Sequence, residues 1–329
     1  MILPSYPFRI EFEVNHICNL RCHYCYAQPF TNITPPFQNL AYLFDKTQKE
    51  AAPFEVILLG GEPFLRNDIL EIIELALKTF NHTVGISTNG TLLSSMGEEK
   101  LLKLKEQVTK GLSIQVSIDS ADSKVNDATR GLTERTLAGL DVLEKNKIPF
   151  SIGLILTNAN RNDVLKTEEY ALSKYKALRM FNLETLQPTF ILGKRWFDMK
   201  LELPEMLNIR ENAIKLTKDM NREDVKVKGV VEESSCSNGK PPLSESYGFK
   251  TCTAGLFRAG VFVDGSVTPC VTIRTLVMGN LFKESWEEIW SKSGERFKHL
   301  NFVKNESGRQ CNINLLRKET VEVEKIKLR

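Results

Sequence analysis

Three observations predict an α/β chain: a partial (β/α)6 barrel of TIM type, followed by a small β-hairpin and helix domain that carries late cysteines. Short apolar or alternating runs recur between Phe8 and Leu186. Segments with apolar residues at three- and four-residue spacing separate them. From the second run onward the unit repeats about every 30 residues, the length of a strand, a helix and two short connections, which implies parallel strands with right-handed crossovers.

In chain order, Phe8 to Val14, Phe54 to Leu59, Thr83 to Ser87, Leu112 to Ile118, Pro149 to Leu156 and Met180 to Leu186 read as strands. Ile69, Ile72, Ile73, Ala76 and Leu77 mark one amphipathic helix, Leu101, Leu102 and Leu104 a second, and Leu137, Leu140, Val142 and Leu143 a third. Six β-α units are too few for a closed eight-stranded barrel, so a partial barrel or open sheet follows, with ligands at the carboxyl ends of the strands.

After Gln187 the pattern changes to a helix-like stretch from Pro204 to Met220, then to the polar, turn-rich segment Ser234 to Ser246. Gly255 to Val263, Asp264-Gly265 and Ser266 to Val271 read as a hairpin with an Asp-Gly turn, followed by a helix with Trp286, Ile289 and Trp290 on its core face. The expected boundaries are a barrel over 1–192, a bridging region over 193–249 and a small domain over 250–329. At 329 residues, two domains are also what a prior of about one per 150 residues gives.

Lys plus Arg number 44 and Asp plus Glu 41, and the basic residues are scattered rather than gathered with aromatics, so nucleic acid is not an expected partner. No apolar run approaches the roughly 18 to 20 residues that cross a bilayer, and Leu40 to Phe44 and Val56 to Leu59 are only strand-sized. No membrane association is expected. Arg9, Glu11 and Glu13 appear before an apolar export signal can form, which points to the cytoplasm. Seven cysteines, an odd number in a reducing compartment, are not a disulfide framework, so metal ligation or redox chemistry leads.

Cys18, Cys22 and Cys25 form a C-x3-C-x2-C cluster directly after the first strand. Three thiolates on one loop can hold three irons of a 4Fe-4S cubane and leave the fourth iron open to an exogenous ligand. A zinc site completed by His16 or His23, or unligated core thiols, would use the same residues. Gly60-Gly61-Glu62-Pro63 ends the second strand, where glycines allow close backbone approach and carbonyl and carboxylate oxygens accept hydrogen bonds from an ammonium group.

With Tyr24 at its aromatic position, Cys18-Asn-Leu-Arg-Cys22-His-Tyr24-Cys25 resembles the C-x3-C-x-aromatic-C motif of the radical S-adenosylmethionine (SAM) superfamily. The resemblance covers about residues 8 to 190, and it decides between iron and zinc. It implies that Cys18, Cys22 and Cys25 hold the catalytic 4Fe-4S cluster, that the open iron chelates SAM, and that Tyr24 lies near adenine. Gly60, Gly61, Glu62 and Pro63 look like the family's GGEP segment. Ser87 and Asn89 end the third strand. Ser117, at the end of the fourth strand, and the later Arg130 stand where similar enzymes hold the SAM carboxylate and ribose, and a planar guanidinium suits a carboxylate. Thr157 and Asn160 stand where the family often contacts ribose or adenine, although turn formation also explains Asn160.

Cys252-x12-Gly265-x4-Cys270, followed by Gly279-Asn280 and Trp286-Glu-Glu-Ile-Trp290, resembles the opening of SPASM and Twitch domains, which carry auxiliary iron-sulfur clusters. Cys252, Cys270 and Cys311 are expected ligands. Cys236 is the remaining candidate, as a fourth ligand, a hydrogen-atom donor or an uninvolved thiol. The departure from a full SPASM pattern is Asn314, where a C-x2-C pair would place a cysteine after Cys311.

The resemblance implies reductive cleavage of SAM to methionine and a 5′-deoxyadenosyl radical, which takes a hydrogen atom from the substrate. The electron comes from a low-potential donor such as flavodoxin or ferredoxin. A ribosomally made peptide or protein is the expected substrate, modified by crosslinking, thioether formation, epimerisation or oxidation. About eight residues precede the first strand, so a leader peptide is expected to bind elsewhere or through a partner in trans. A small-molecule dehydrogenase or cofactor-biosynthesis enzyme is the alternative, and a non-catalytic iron-sulfur or zinc protein is the alternative of another class.

Overall fold

A computed structural model describes residues 5–187, 192, 195–229, 254, 255 and 257–298. Strand β1 (Arg9–Asn15) shows why the first element forms: Ile10, Phe12 and Val14 are fully buried on one face, and Phe12 meets Phe44 edge-on at 4.9 Å. Phe44 belongs to α1 (Phe37–Glu50), whose buried face is Leu40, Leu43, Phe44 and Thr47. The run Leu40 to Phe44, strand-sized by length, thus lies inside a helix because its apolar residues continue at three- and four-residue spacing to Thr47.

The remaining units are β2 (Glu55–Gly60), α2 (Ile69–Thr79), β3 (Thr83–Thr88), α3 (Glu98–Thr109), β4 (Leu112–Ser117), a short α4 (Ser123–Asn126), α5 (Thr133–Lys145), β5 (Phe150–Leu156), α6 (Val164–Lys174) and β6 (Leu178–Thr185). The first six strands pair in parallel in sequence order, as the repeat requires. Alternate strand residues such as Val56, Leu58, Val84, Ile86, Ile114, Val116, Ile152 and Leu154 are buried in the main core with the helices. The other face is polar: Gln115 on β4 reaches past Gly153 on β5 to donate to Glu184 on β6 at 2.9 Å, and a Cβ on Gly153 would lie 2.5 Å from the Gln115 amide nitrogen. In α3 the helical period turns Leu104 and Gln107 inward and leaves Leu102 59% exposed, so of that expected apolar stripe Leu104 anchors the helix.

Beyond β6 lie α7 (Arg195–Met199), α8 (Leu203–Asp219) and β7 (Lys226–Gly229), a seventh parallel strand that pairs with β6. β8 (Arg258–Val261) and β9 (Ser266–Thr268) form the expected hairpin, with Gly265 at φ +78° in its turn. β8 pairs in parallel with β1, and β10 (Gly279–Asn280) pairs with β9, so the hairpin extends the barrel sheet on its β1 side. The described strands make one ten-stranded sheet. In α9 (Trp286–Lys298) the fully buried Trp286 donates its indole N–H to Thr47 Oγ1 of α1 at 3.0 Å. No described helix is long and apolar enough to cross a membrane.

Candidate active site

β1 delivers the chain into a loop that carries Cys18, Cys22 and Cys25 at the carboxyl end of the sheet. The loop is held from within. The His16 backbone bonds to Ile33 and Asn32, and the His16 ring is buried. Its Nδ1 accepts the Thr31 backbone N–H at 3.1 Å, so the ring proton sits on Nε2 and is donated to the Ala27 carbonyl at 2.7 Å. Burial, with the Arg274 charge nearby, keeps the His16 pKa low and the ring neutral. Both ring nitrogens are therefore committed to loop structure, and His16 does not complete a zinc site in this fold.

The three thiols are half-buried. Burial pushes Cys18 up to about 12 and Cys22 up to about 11, and it also raises Cys25. Cys18 is raised further by Glu62, Cys22 and Cys25, while Arg130 works the other way at Cys22. Three thiols that repel one another as thiolates in a partly dry pocket need a concentrated positive charge to ionise, and iron supplies it while releasing the protons. Among the described residues no group of three or more His, Cys, Asp or Glu side chains is placed to hold a single metal ion. By their chemistry, three thiolates from one loop are the donors that an iron-sulfur cluster takes.

Gly60 and Gly61 approach this loop rather than open space. A Cβ on Gly61 would lie 1.9 Å from the Ile17 carbonyl oxygen, and one on Gly60 would lie 2.4 Å from the Asn15 carbonyl oxygen. The Gly61 and Glu62 N–H groups bond to Asn15 and Ile17, and Asn15 Nδ2 donates back to the Glu62 carbonyl at 2.8 Å. The buried Glu62 carboxylate accepts from Thr88 Oγ1 at 2.7 Å, the Asn89 backbone N–H at 2.7 Å and the Phe64 N–H at 3.0 Å. Burial raises its pKa against those bonds. Pro63 follows, buried, at the start of a 3-10 turn. Asn89 continues the brace: its Nδ2 donates to Asn19 Oδ1 at 2.9 Å and lies 4.0 Å from Cys18 Sγ.

On the other side, Asp119, just after β4 and fully buried, gathers the residues the motifs point to. It accepts from the Tyr24 hydroxyl, Arg130 Nε at 2.9 Å, Thr129 Oγ1 at 3.1 Å and the Ile155 N–H at 3.2 Å. The Arg130 guanidinium carbon lies 5.4 Å from the Tyr24 ring centroid. Asp119 was not singled out by sequence reasoning. The available signal was an acid directly after an apolar strand, where burial demands a cationic partner. Tyr24 also packs with Leu186 and Leu192 in an apolar cluster that includes Cys22, Ile155, Trp196 and Met199.

Ser87 and Ser117 are half-buried at the ends of β3 and β4. Thr157 and Asn160 are fully buried and bonded to each other, and Asn160 Nδ2 ties the Ile155 carbonyl at 2.8 Å to that of Asp119 at 3.1 Å. Their hydrogen bonds brace the ends of β4 and β5.

At the second site, Cys270 is buried beneath the hairpin at 3.3 Å from Thr272 Oγ1, and Tyr26 of the cysteine loop packs against its cluster. Burial raises the Cys270 thiol, with Arg258 opposing. Cys236, Cys252 and Cys311 lie outside the described residues.

Fold and site together place three thiols at the carboxyl end of a partial parallel barrel. Residues 12–171 match the radical SAM superfamily and residues 252–312 match the SPASM iron-sulfur cluster-binding domain. It is 27% identical over 313 residues to an AdoMet-dependent heme synthase of Methanosarcina barkeri, covering 89% of this chain and 84% of that one. Among solved structures, Streptococcus suis SuiB bound to its precursor peptide SuiA matches with a TM-score of 0.70 at 15% identity. That match covers 88% of this chain and 65% of SuiB, so the chain spans about two thirds of that protein's length. The structure of anSMEcpe with bound AdoMet gives 0.68 at 20% identity, covering 91% and 85%. At these identities the structural likeness concerns the fold. SAM and iron-sulfur clusters are the cofactors of the families that these two stretches match.

Proposed function

We propose that the chain cleaves SAM at a cluster held by Cys18, Cys22 and Cys25 and uses the resulting radical to abstract a hydrogen atom from a ribosomally made peptide or protein. The observation that carries this reading is the convergence of three cysteines on a loop locked by Gly61, Glu62 and His16. A reduced cluster supplies the electron that splits SAM. This chain's residues position the reactants. Arg130, fixed by Asp119, offers its remaining guanidinium N–H groups to a carboxylate or ribose, and Ser117 at the end of β4 is assigned to the same bound molecule. Tyr24, Leu192 and Trp196 form a wall that excludes water next to Cys22. Gly60, Gly61, Glu62, Pro63, Ser87, Asn89, Thr157 and Asn160 shape the strand ends around the bound molecule. Cys270, with Cys252, Cys311 and Cys236, is assigned to an auxiliary cluster. A cytoplasmic, reducing location and a flavodoxin- or ferredoxin-type donor belong to the same reading.

The peptide assignment is supported by the SPASM match and by the likeness to a fold that in SuiB takes a precursor peptide. One observation favours a second reading, a cofactor-biosynthesis enzyme: the similarity to a heme synthase extends over most of both chains. Anaerobic incubation with SAM and reductant separates them. Formation of 5′-deoxyadenosine that depends on an added peptide encoded nearby supports the first. Formation that depends on a tetrapyrrole or other small molecule, with no response to any peptide, supports the second.

A further inference from the structure

Within the barrel, Glu11 and Glu13 on β1 share the face opposite Ile10, Phe12 and Val14, and both are 2% exposed. Each is met by an arginine from the carboxyl-terminal segment. Arg258 of β8 donates to Glu11 Oε1 at 2.5 Å, and Arg9 donates to the same oxygen at 3.0 Å. Arg274, four residues after Cys270, donates to Glu13 Oε1 and lies 4.6 Å from the Phe262 ring centroid. The Glu13 carboxylate stands 4.0 Å from His16 Nε2, the nitrogen that holds the Ala27 carbonyl two residues beyond Cys25. A continuous set of contacts therefore runs from the loop after Cys270, through Arg274, Glu13 and His16, to the loop that carries Cys25.

We propose that Arg274 is a positioning residue that sets the potential of the SAM-binding cluster, carrying a positive charge from the SPASM segment to the base of the cysteine loop. Reduction adds one negative charge to a cluster. A cation held nearby in a partly dry interior stabilises the reduced form, and the carboxylate of Glu13 partly cancels that cation. The proposal rests on the reading that Cys18, Cys22 and Cys25 hold a cluster.

The test is a redox titration of the full-length, anaerobically reconstituted protein at a pH well above 7, where Glu13 is ionised. The cluster concerned is identified by the change that SAM causes in its electron paramagnetic resonance spectrum. Removing Arg274 also removes the charge that holds the Glu13 pKa down, so Glu13 takes up a proton unless it too is replaced. The Arg274 charge is therefore read from Glu13→Gln against the double variant that adds Arg274→Gln, in which reduction is expected to be disfavoured about tenfold, a fall of about 59 mV for one electron. Glu13→Gln is expected to move the potential upward, Arg274→Lys to stay near the parent protein, and the double variant to return toward it. Equal potentials in iron-loaded Glu13→Gln and the double variant overturn the proposal, as does an Arg274→Lys potential that falls about 59 mV below the parent protein. If the double variant takes up no iron, Glu13→Gln decides, and no upward shift there is also a refutation. Absence of iron from the parent protein refutes the underlying cluster reading instead.

Discussion

Replacing Asp119 by Asn isolates the charge at the centre of the candidate site with little change in shape. Oδ1 of Asp119 accepts from Arg130 Nε at 2.9 Å and the Ile155 N–H at 3.2 Å, while Oδ2 accepts from the Tyr24 and Thr129 hydroxyls. In the favourable orientation Asn keeps its oxygen toward Arg130 and turns its amino group to the two hydroxyls, which rotate to accept. Geometry survives and the countercharge does not. Asp119 is fully buried and the Arg130 side chain is 10% exposed, so the guanidinium becomes an uncompensated buried charge. That loss costs about 3 to 5 kcal/mol. Thr129→Val, which removes one hydrogen bond to the Asp119 carboxylate at 3.1 Å and leaves the Arg130 countercharge in place, should cost less, about 1.5 to 3 kcal/mol. Urea unfolding measures both variants, and equilibrium dialysis measures SAM binding to reconstituted protein. Asn at 119 should weaken SAM binding at least about tenfold, since about 1.4 kcal/mol of lost positioning suffices. A stability loss under about 1 kcal/mol with unchanged SAM affinity would refute the role given to Asp119.

Gly61→Ala forces the Ile17 carbonyl to move by more than 1 Å from a 1.9 Å contact. Turnover should fall about 100-fold with iron largely retained, as parallel iron analysis and rate measurement will show. Cys25→Ala should abolish 5′-deoxyadenosine formation and halve the iron, which chromatography of the nucleoside products and iron assay report. Glu168, buried between α6 and α8, is raised to about 8 by burial, against the bond it accepts from Thr217 Oγ1 at 2.9 Å. The folded state therefore holds this proton more tightly than the unfolded chain. Its contribution is complete below about pH 4.5 and declines as pH rises through about 8, by a few kcal/mol in all. Glu168→Gln should flatten that decline in urea unfolding curves recorded across the window, and an unchanged slope contradicts the assignment.

The six parallel strands and the carboxyl-terminal hairpin were legible because periodicity and an Asp-Gly turn are local signals. α1 was obscured by Leu40 to Phe44, whose apolar density hides its helical spacing until Thr47 is included. β7 is only four residues long and gains its place by pairing with β6, which no local pattern announces. Cys18, Cys22 and Cys25 were readable from spacing. Asp119 was not, because its importance arises from four donors up to 95 residues away in sequence. Gly61 was expected to admit a ligand, and it first admits the cysteine loop, a distinction that requires three dimensions. The Glu13–Arg274 pair spans 261 residues and is equally invisible to local reasoning.

The central claim is that three thiols near the amino end hold an iron-sulfur cluster that splits SAM. Anaerobic reconstitution followed by iron analysis and incubation with SAM and dithionite tests it most directly. The account predicts about eight irons per chain when both clusters are built, and release of 5′-deoxyadenosine and methionine. Colourless protein containing zinc, or iron-loaded protein that leaves SAM intact under strong reductant, would contradict it.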